Sequence, residues 1–279
     1  MAKIIWLASY PKSGNTWLRA LLTNYQQAGD APADINDLSG GPIAGARLWF
    51  DEWAGVEASA LSDAVIERLR PAVYRCMAGE AAEPLFMKVH DAWSRTDTGE
   101  PLFPPDVTAG VVYMMRIPLD LAASCAHHWG VTLERAVDNL GNPGFSLARS
   151  LGGLSDQLRQ RLGSWSDHGR SWLVESGLPV HRVRYEDLRR DPVTIFGEVV
   201  RFVGLPYAAA RLQKAVAFSD FAELQRQENE KGFRERSVVA PGPFFRQGQV
   251  EAWREELPAS LAQRLIEAHQ VMMRRYGYL

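Results

Sequence analysis

Short apolar runs alternate along the chain with longer stretches whose apolar residues have helical spacing. The runs predict four strands, over residues 4–8, 85–89, 111–115 and 180–184. The run over 111–115 is apolar throughout, which is typical of a parallel strand buried on both faces. Because helical patterns separate the runs, the sequence predicts an α/β fold with a central, mostly parallel sheet flanked by helices in three layers.

The helical patterns predict helices over residues 15–27, 118–129, 155–176, 192–203, 207–217 and 258–276. Pro118 suits the first turn of its helix, where no backbone donor is needed. Residues 29–55 contain Trp49, Phe50 and Trp53 without a clear period. Residues 232–248 are rich in glycine, proline, arginine and phenylalanine and predict a long loop, a kind of segment that often covers a site.

Composition argues against several classes of protein but does not identify the function. The chain carries 31 Lys and Arg against 33 Asp and Glu, a net charge of −2, which argues against a broad nucleic-acid surface. Its two cysteines cannot build a disulfide framework. No apolar stretch approaches the roughly 18 residues that cross a bilayer, and the first apolar run is too short for a signal peptide. We therefore expect a cytoplasmic, soluble protein without a membrane partner.

The first strand is followed by a loop that suits a phosphate group. Residues 4–17 read IIWLASYPKSGNTW, a strand, a tight loop and the start of a helix. The first N–H groups of a helix have no intrahelical partner, and the helix dipole attracts an anion there. Gly14 permits close approach of a phosphate, Lys12 adds positive charge, and Ser13 and Thr16 add hydroxyls. The alternative is a plain turn before a helix capped by Thr16 or Asn15.

The order of residues in this loop differs from the common nucleotide loop G-x-x-x-x-G-K-[ST], since Lys12 precedes the glycine. The segment YPKSGNTW instead resembles the YPKSGTTW signature of the PAPS-dependent sulfotransferases, with Asn15 in place of a threonine. PAPS is 3′-phosphoadenosine 5′-phosphosulfate, and PAP is the product that remains after sulfuryl transfer.

A second segment, RIPLDLAAS, follows the third predicted strand. Arg116 stands at the carboxyl end of the strand, where α/β sheets bind ligands, and Ser124 lies two turns into the next helix. A guanidinium and a hydroxyl can hold a phosphate dianion. The alternative is an arginine that satisfies loop carbonyls beside a packed serine. The segment resembles the R-x-P-x-D-x-x-x-S block with which sulfotransferases bind the 3′-phosphate of the donor.

The candidate general base lies at the end of the second strand, in LFMKVHD. Alternation places Lys88 and His90 on the same side, and a histidine titrates near neutral pH. The segment resembles the K-x-H motif of the sulfotransferases, which supplies their general base. His127 and His128 compete for that role, although acceptor-side or core packing suits them better. We interpret His168, between two tryptophans, as structural.

The remaining motifs extend the resemblance from about residue 3 to residue 253, with residues 30–84 unmatched. VRYEDLRRDP resembles the YEDL-x-x-DP block and implies that Tyr185 lies near the adenine or the 3′-phosphate. Glu186 and Asp187 form a possible carboxylate pair, with helix-start acids as the alternative. AFSDFAEL implies adenine contacts from Ser219 and Phe221. FFRQGQVEAW resembles the R-K-G-x-x-G-D-W lid and implies that Arg246 and Gly248 bind the 3′-phosphate, with Gln247 replacing the family's lysine.

The resemblance implies a P-loop-type fold, one sulfotransferase domain over residues 1–279, an acceptor-side variable region over 30–84 and a cofactor-covering lid over 232–253. It implies in-line sulfuryl transfer from PAPS to a hydroxyl or amine of a small molecule, for example an aromatic or hydroxylated natural product. His90 is then the base, and Lys12 and Lys88 are further catalytic residues. No metal is expected.

The donor would contact a larger set of residues, namely Lys12, Ser13, Gly14, Asn15, Thr16, Trp17, Arg116, Ser124, Tyr185, Ser219, Phe221, Arg246, Gln247 and Gly248. Two alternatives stay open. One is a P-loop kinase or NTPase, which needs an acid for magnesium at a strand end, where this chain has Arg116. The other is a non-catalytic nucleotide-binding protein on the same fold. The sequence identifies neither the acceptor nor the oligomeric state.

Overall fold

The computed structural model describes residues 3–148 and 155–279. Its strands are β1 (Ile4–Ser9), β2 (Leu85–Val89), β3 (Thr108–Met115), β4 (Ser146–Leu147), β5 (Gln160–Arg161) and β6 (Val180–Arg184). Its α-helices are α1 (Asn15–Gln27), α2 (Arg47–Ala54), α3 (Asp63–Glu80), α4 (Pro118–Trp129), α5 (Leu133–Gly141), α6 (Trp165–Arg170), α7 (Tyr185–Arg190), α8 (Pro192–Phe202), α9 (Ala209–Phe218), α10 (Phe221–Lys231), α11 (Trp253–Glu256) and α12 (Ala259–Arg275). A 3₁₀ turn spans Ala58–Ala60, and a π-helical turn spans Ser171–Glu175.

The four long strands form one sheet in the order β2-β1-β3-β6. β1 and β2 are parallel, with Ile4 opposite Leu85 and Ala8 opposite Val89. Every residue of β1 is buried, because an inner strand with helices on both faces must be apolar throughout. The predicted α/β fold with a central, mostly parallel sheet flanked by helices is confirmed.

The chain folds into two compact units, each assembled from three separate stretches. Unit 1 comprises Met1–Tyr10, Gly40–Tyr113 and Pro143–Arg182. Unit 2 comprises Pro11–Ser39, Met114–Asn142 and Val183–Leu279. A compact unit is not by itself an independently folding domain, so the single domain over residues 1–279 stays a prediction.

Large aromatic side chains form the centre of unit 1. The Trp6 ring packs edge-on against Tyr74 and Phe103, with both centroid distances at 5.0 Å. Phe103 packs in turn on Trp172 at 4.8 Å. The Trp6 indole N–H donates to Thr108 Oγ1 at 2.9 Å, which satisfies the polar atom of a fully buried ring.

Unit 1 also buries an ion pair. Arg70 of α3 donates to both carboxylate oxygens of Asp91, at 2.8 and 3.0 Å, and both side chains are almost fully buried. Arg70 Nε donates further to the Tyr74 hydroxyl at 3.0 Å. Since breaking a buried pair leaves an uncompensated charge, this two-point contact fixes α3 to the chain just after β2.

Unit 2 packs α1 against α10 and the long loop of residues 232–253, which we call the lid. The shared cluster consists of Ala20, Ile35, Leu38, Leu224, Phe233 and Phe245, with Trp17, Phe221 and Phe244 partly buried against it. The lid therefore contributes three phenylalanines to the core of this unit.

The helix predicted over residues 155–176 is wrong in its first half. Leu158 and Leu162 are buried at helical spacing from Trp165, yet the chain there is extended. Leu158 N donates to Gly45 O at 2.7 Å, so the segment pairs with another stretch of unit 1. Gly163, with φ +67°, ends this segment, and Ser164 caps α6, which begins only at Trp165.

Two helices lie where the sequence showed no clear period or was left unassigned. α2 covers Arg47–Ala54 and buries Phe50. α3 covers Asp63–Glu80, begins at a Ser62 cap that accepts from Val65 N, and continues through Pro71. A proline inside a helix removes one backbone hydrogen bond, which weakens the sequence signal. Within residues 3–148 and 155–279, no helix is long and apolar enough to cross a membrane.

Candidate active site

The loop between β1 and α1 leaves no room for side chains at its glycine. Gly14 precedes α1 with φ +102°, and an added Cβ would lie 2.7 Å from Tyr185 Cδ2 and 3.0 Å from Met114 Cε. Lys12 also has a left-handed backbone, with φ +68°. The turn thus requires a conformation in which only glycine fits at position 14.

The first turn of α1 carries no side-chain cap. Neither Thr16 nor Asn15 caps the helix, so the alternative of a plain capped turn does not describe this loop. Ser13 Oγ is fully buried and has no hydrogen-bond partner among the described residues. Uncapped N–H groups, a buried hydroxyl without a partner and a nearby lysine are the groups that an oxyanion such as a phosphate would satisfy.

Lys12 contacts the lid in this structure. Its Nζ lies 3.4 Å from the centroid of the Phe244 ring, a cation–π contact. Phe244 N and Phe245 N donate to the two carboxylate oxygens of Glu228, at 2.6 and 2.9 Å. Glu228, on α10, therefore sets the position of the ring on which Lys12 rests.

Arg116 directly follows β3 and is 9% exposed. Its guanidinium carbon lies 4.4 Å from the Tyr185 ring centroid. One terminal nitrogen donates to Gln249 O at 2.8 Å and lies 3.6 Å from the Asp120 carboxylate. The alternative of an arginine bound to loop carbonyls thus describes one of its contacts. Ser124 lies on α4 and is half-buried.

Asp120, in the first turn of α4, holds the end of the lid. Its two carboxylate oxygens accept from Glu251 N and Trp253 N, both at 3.0 Å. Tyr185 adds a second contact, since its hydroxyl donates to Gly248 O at 2.9 Å. Burial raises the pKa of Tyr185, so this hydroxyl keeps its proton near neutral pH.

Gly248 is the second position where a side chain does not fit. It has φ +62°, and an added Cβ would lie 2.5 Å from the Phe221 ring. Arg246 pairs with Glu256 through both terminal nitrogens, one of them at 2.8 Å. That hydrogen-bonded pairing lowers the pKa of Glu256. Gln247 is exposed. An anion that binds Arg246 would share or replace this carboxylate.

Ser219 forms hydrogen bonds with α1, and Phe221 packs against the apolar cluster of unit 2. Trp17 Nε1 donates to Ser219 O at 2.9 Å, and Asn24 Nδ2 donates to Ser219 Oγ at 3.0 Å. The Trp17 ring meets Tyr185 edge-on at 5.8 Å. Every residue predicted to bind the donor belongs to unit 2, and contacts within that unit link the phosphate loop, α4, α7, α10 and the lid.

Lys88 and His90 belong to unit 1. Met87 and Val89 are buried and Lys88 is half-buried, so β2 alternates as predicted. His90 Nδ1 lies 2.9 Å from Ser9 O and 3.3 Å from Ser9 Oγ. The nearer oxygen is a carbonyl, which only accepts, and the hydroxyl oxygen can accept as well, so Nδ1 carries the proton in the neutral ring and Nε2 keeps its lone pair. That tautomer is the one a general base needs at Nε2.

The competing groups have other contacts. His127 Nε2 lies 3.0 Å from Pro243 O, and the His128 ring meets Phe244 edge-on at 5.9 Å, so both contact the lid. Glu186 accepts from Ile117 N at 2.9 Å, and burial raises its pKa. Asp187 accepts from Arg190 at 2.9 Å. Glu186 and Asp187 thus fit the alternative of helix-start acids.

Sequence reasoning missed several residues that hold these groups. Asp120 stands inside the RIPLD motif but was assigned no role, while Glu228 lies in no motif. His168 and Tyr113 lie beside the backbone of His90, as described below. Among the described residues, no group of three or more His, Cys, Asp or Glu has the arrangement of a metal site.

Comparison with known proteins identifies relatives over nearly the whole chain. The family model described as the sulfotransferase domain matches residues 3–277. Sulfotransferase 2A6 of Rattus norvegicus is 25% identical over 272 residues, 96% of this chain and 83% of the relative. Sulfotransferase 2B1 of Homo sapiens is 24% identical over 278 residues, 97% of this chain and 66% of the relative.

Solved structures share the fold at low identity. Retinol dehydratase in complex with androsterone and inactive cofactor PAP matches with a TM-score of 0.65 and 18% identity, over 97% of this chain and 80% of that chain. Mouse sulfotransferase SULT7A1 complexed with PAP matches with a TM-score of 0.60 and 18% identity, over 98% and 84%.

Proposed function

The chain belongs to the sulfotransferase domain family, and from this premise we propose that it moves a sulfuryl group from PAPS to a hydroxyl or amine of a small-molecule acceptor and releases PAP. The observation that carries the donor side is the glycine-only loop at the uncapped start of α1, with the buried Ser13 hydroxyl beside it. The retinol dehydratase and SULT7A1 structures, which share the fold, hold PAP.

The roles on the donor side follow from charge and position. The N–H groups of the phosphate loop and the hydroxyls of Ser13 and Thr16 bind the 5′-phosphate. Lys12 leaves Phe244 and stabilises the negative charge that develops on the oxygen leaving sulfur. Arg116, with Ser124 and Arg246, binds the 3′-phosphate and so distinguishes PAPS from ATP.

The chemical step is an in-line transfer at sulfur. The acceptor oxygen forms a bond to sulfur while the bond from sulfur to the bridging phosphate oxygen breaks, and PAP takes that electron pair. His90 Nε2 accepts the acceptor proton. Lys88 binds a sulfuryl oxygen. Because the transferred group carries a single negative charge, its transfer needs no metal clamp.

Two observations support a proposal for the acceptor: the aromatic residues of α2, and the ligand in a solved structure that shares the fold. The retinol dehydratase structure holds androsterone. In this chain, α2 in unit 1 presents Trp49 and Trp53 half-buried beside the buried Phe50. Aromatic side chains suit an apolar ligand with one hydroxyl. We therefore propose an aromatic or apolar alcohol or phenol as the acceptor.

The donor experiment is calorimetry with PAP and with ATP on the wild type and on Arg116→Ala. We expect PAP to bind more tightly than ATP, and Arg116→Ala to weaken PAP binding by about 1.5–3 kcal/mol, as for a lost hydrogen bond to a charged group. Arg264→Ala, which removes an exposed arginine paired with Asp138, is the matched control and should bind PAP like the wild type. Binding of ATP as tight as PAP and indifferent to Arg116 would favour the kinase or NTPase alternative.

The second experiment separates an enzyme from a non-catalytic PAP-binding protein. A panel of phenols, sterols and retinoid alcohols is incubated with PAPS, and PAP release is measured. We expect His90→Ala to retain PAP affinity and to lose turnover by about 10²–10⁴-fold, the usual contribution of a general base. His181→Ala serves as the histidine control. Turnover unchanged in His90→Ala would remove the base assignment and leave the donor site standing.

A further inference from the structure

The backbone that follows β2 is bound by one helical face of unit 1. His168 Nε2 lies 3.0 Å from His90 O, and Trp172 Nε1 donates to Asp91 O at 2.9 Å. Trp93 N donates to Ser171 Oγ at 3.0 Å. Residues three and four apart share a helix face, so a single surface holds backbone groups of residues 90, 91 and 93, at and just after the candidate base.

The local structure of that surface is specialised. α6 begins at the Ser164 cap and passes directly into the π-helical turn Ser171–Glu175. Ser171 Oγ also donates to His168 O at 2.8 Å, which ties the turn back to α6. Single π turns inside helices are rare and frequently occur at functional sites.

The protonation of His168 follows from its partners. Its Nε2 faces a carbonyl and must carry the proton, so Nδ1 accepts from the Tyr113 hydroxyl at 2.8 Å. The ring is fully buried, and burial lowers its pKa to about 4. His168 is therefore neutral near pH 7, with one fixed tautomer.

We propose that His168 is a positioning residue for His90: it donates to the carbonyl of His90 and thereby keeps the imidazole of His90 where Nδ1 donates to Ser9 O, the tautomer in which Nε2 can take a proton. Tyr113 supports this role, because its hydroxyl donates to His168 Nδ1 and so fixes the His168 tautomer. This inference rests on the proposed function, since it assigns a support to the proposed base.

The test reads the tautomer of His90 directly, so it requires no acceptor. The full chain is labelled with 15N at histidine, and its six histidines are followed by imidazole nitrogen shifts, with His90 assigned from His90→Ala. Wild-type His90 should be neutral as the Nδ1–H tautomer. His168→Leu should lose that preference, whereas His168→Gln, which keeps an N–H donor, should retain it. Urea unfolding, measured in parallel, checks that each variant is folded.

Each outcome decides one point. If folded His168→Leu leaves the His90 tautomer unchanged, or if the Leu and Gln variants change it equally, the positioning role is wrong and the base proposal stands. If wild-type His90 is the Nε2–H tautomer, the base proposal itself fails.

Should His168→Leu not fold, Tyr113→Phe replaces it as the test variant. We expect a smaller loss of the preference for the Nδ1–H tautomer of His90, and an unchanged preference overturns the inference. Tyr25→Phe, which removes another buried hydroxyl, is its control and should leave His90 unaltered.

Discussion

Two glycines of unit 2 lie where the fold leaves no room for a side chain. Gly14 and Gly248 both have positive φ and face a ring within 3 Å of the Cβ they lack. Gly55 has φ +67°, close to the +62° of Gly248, with open space around it. Backbone strain and steric exclusion are thus separable in this chain.

Gly14→Ala should weaken PAP binding by about tenfold or more. The new Cβ must move Tyr185 or the first turn of α1, and one lost hydrogen bond to a charged group is worth about 1.5 kcal/mol or more. Calorimetry with PAP measures the effect. Gly55→Ala bears a positive-φ penalty of about 1–2 kcal/mol without the clash. An equal loss of PAP affinity in both variants would contradict the steric explanation.

His168 gives stability a defined pH dependence. Its folded pKa of about 4 lies below its ordinary value of 6.5, so the unfolded chain binds the additional proton. Its contribution is fully present above about pH 6.5 and is lost as the pH falls towards 4. At about 1.4 kcal/mol per pKa unit, the loss amounts to a few kcal/mol. Urea unfolding between pH 7 and 4.5 should therefore show a flatter profile for His168→Gln than for the wild type, and parallel profiles would contradict this.

The lid is an element held by carboxylates rather than by regular structure. Asp120 and Glu228 each accept two backbone N–H groups, one pair at each end of the segment 244–253. A carboxylate accepts such bonds without competing donors, whereas an amide of the same shape brings an N–H₂ group towards one of the donors. The two carboxylates are therefore specific to this arrangement.

Glu228→Gln should loosen the lid. We expect faster tryptic cleavage within residues 232–253 and PAP binding weaker by several-fold, because one of two charge-assisted hydrogen bonds is lost. Glu230→Gln is the matched control on the same helix, since Glu230 is exposed and pairs only with Arg226 among its described contacts. Equal protease sensitivity of the two variants would mean that Glu228 does not hold the lid.

Sequence patterns predicted the elements whose signal is local. β1, α1, β2, β3 and α4 each carry an apolar run, a helical period or a proline at the first turn, and the donor motifs lie at their ends. The helix prediction failed over residues 155–164. Leu158 and Leu162 are buried there because the segment pairs with distant parts of the chain, and their spacing coincides with that of a helix. The contacts that hold His90 and the lid could not be predicted from these patterns either, since they join residues far apart in sequence.

At the scale of the whole molecule, each of the two units contains one cysteine. Cys76 is exposed on α3 in unit 1. Cys125 is buried on α4 in unit 2, and burial raises its pKa to about 12. Its thiol donates towards Pro11 O at 3.9 Å, at the start of the phosphate loop. A thiolate is the reactive form, so Cys125 reacts only when unit 2 opens.

Native protein should therefore give one fast thiol with a disulfide reagent, and Cys76→Ser should remove it. PAP should slow the labelling of Cys125 and leave that of Cys76 unchanged, because a ligand that binds only the closed state lowers the open population. Mass spectrometry of each site over time measures both rates. Labelling of Cys125 indifferent to saturating PAP would contradict the placement of the donor in unit 2.

The alternation of the two units along the chain has a consequence for how specificity can be altered by recombination. The stretches of the two units interrupt one another along the chain, so a single crossover with a relative anywhere between residues 11 and 182 divides both units. A chimera that exchanges one unit intact has to replace three stretches together. With the proposed acceptor side in unit 1, new acceptor preferences are thus more accessible through point substitutions and loop changes within that unit than through exchange of a contiguous half.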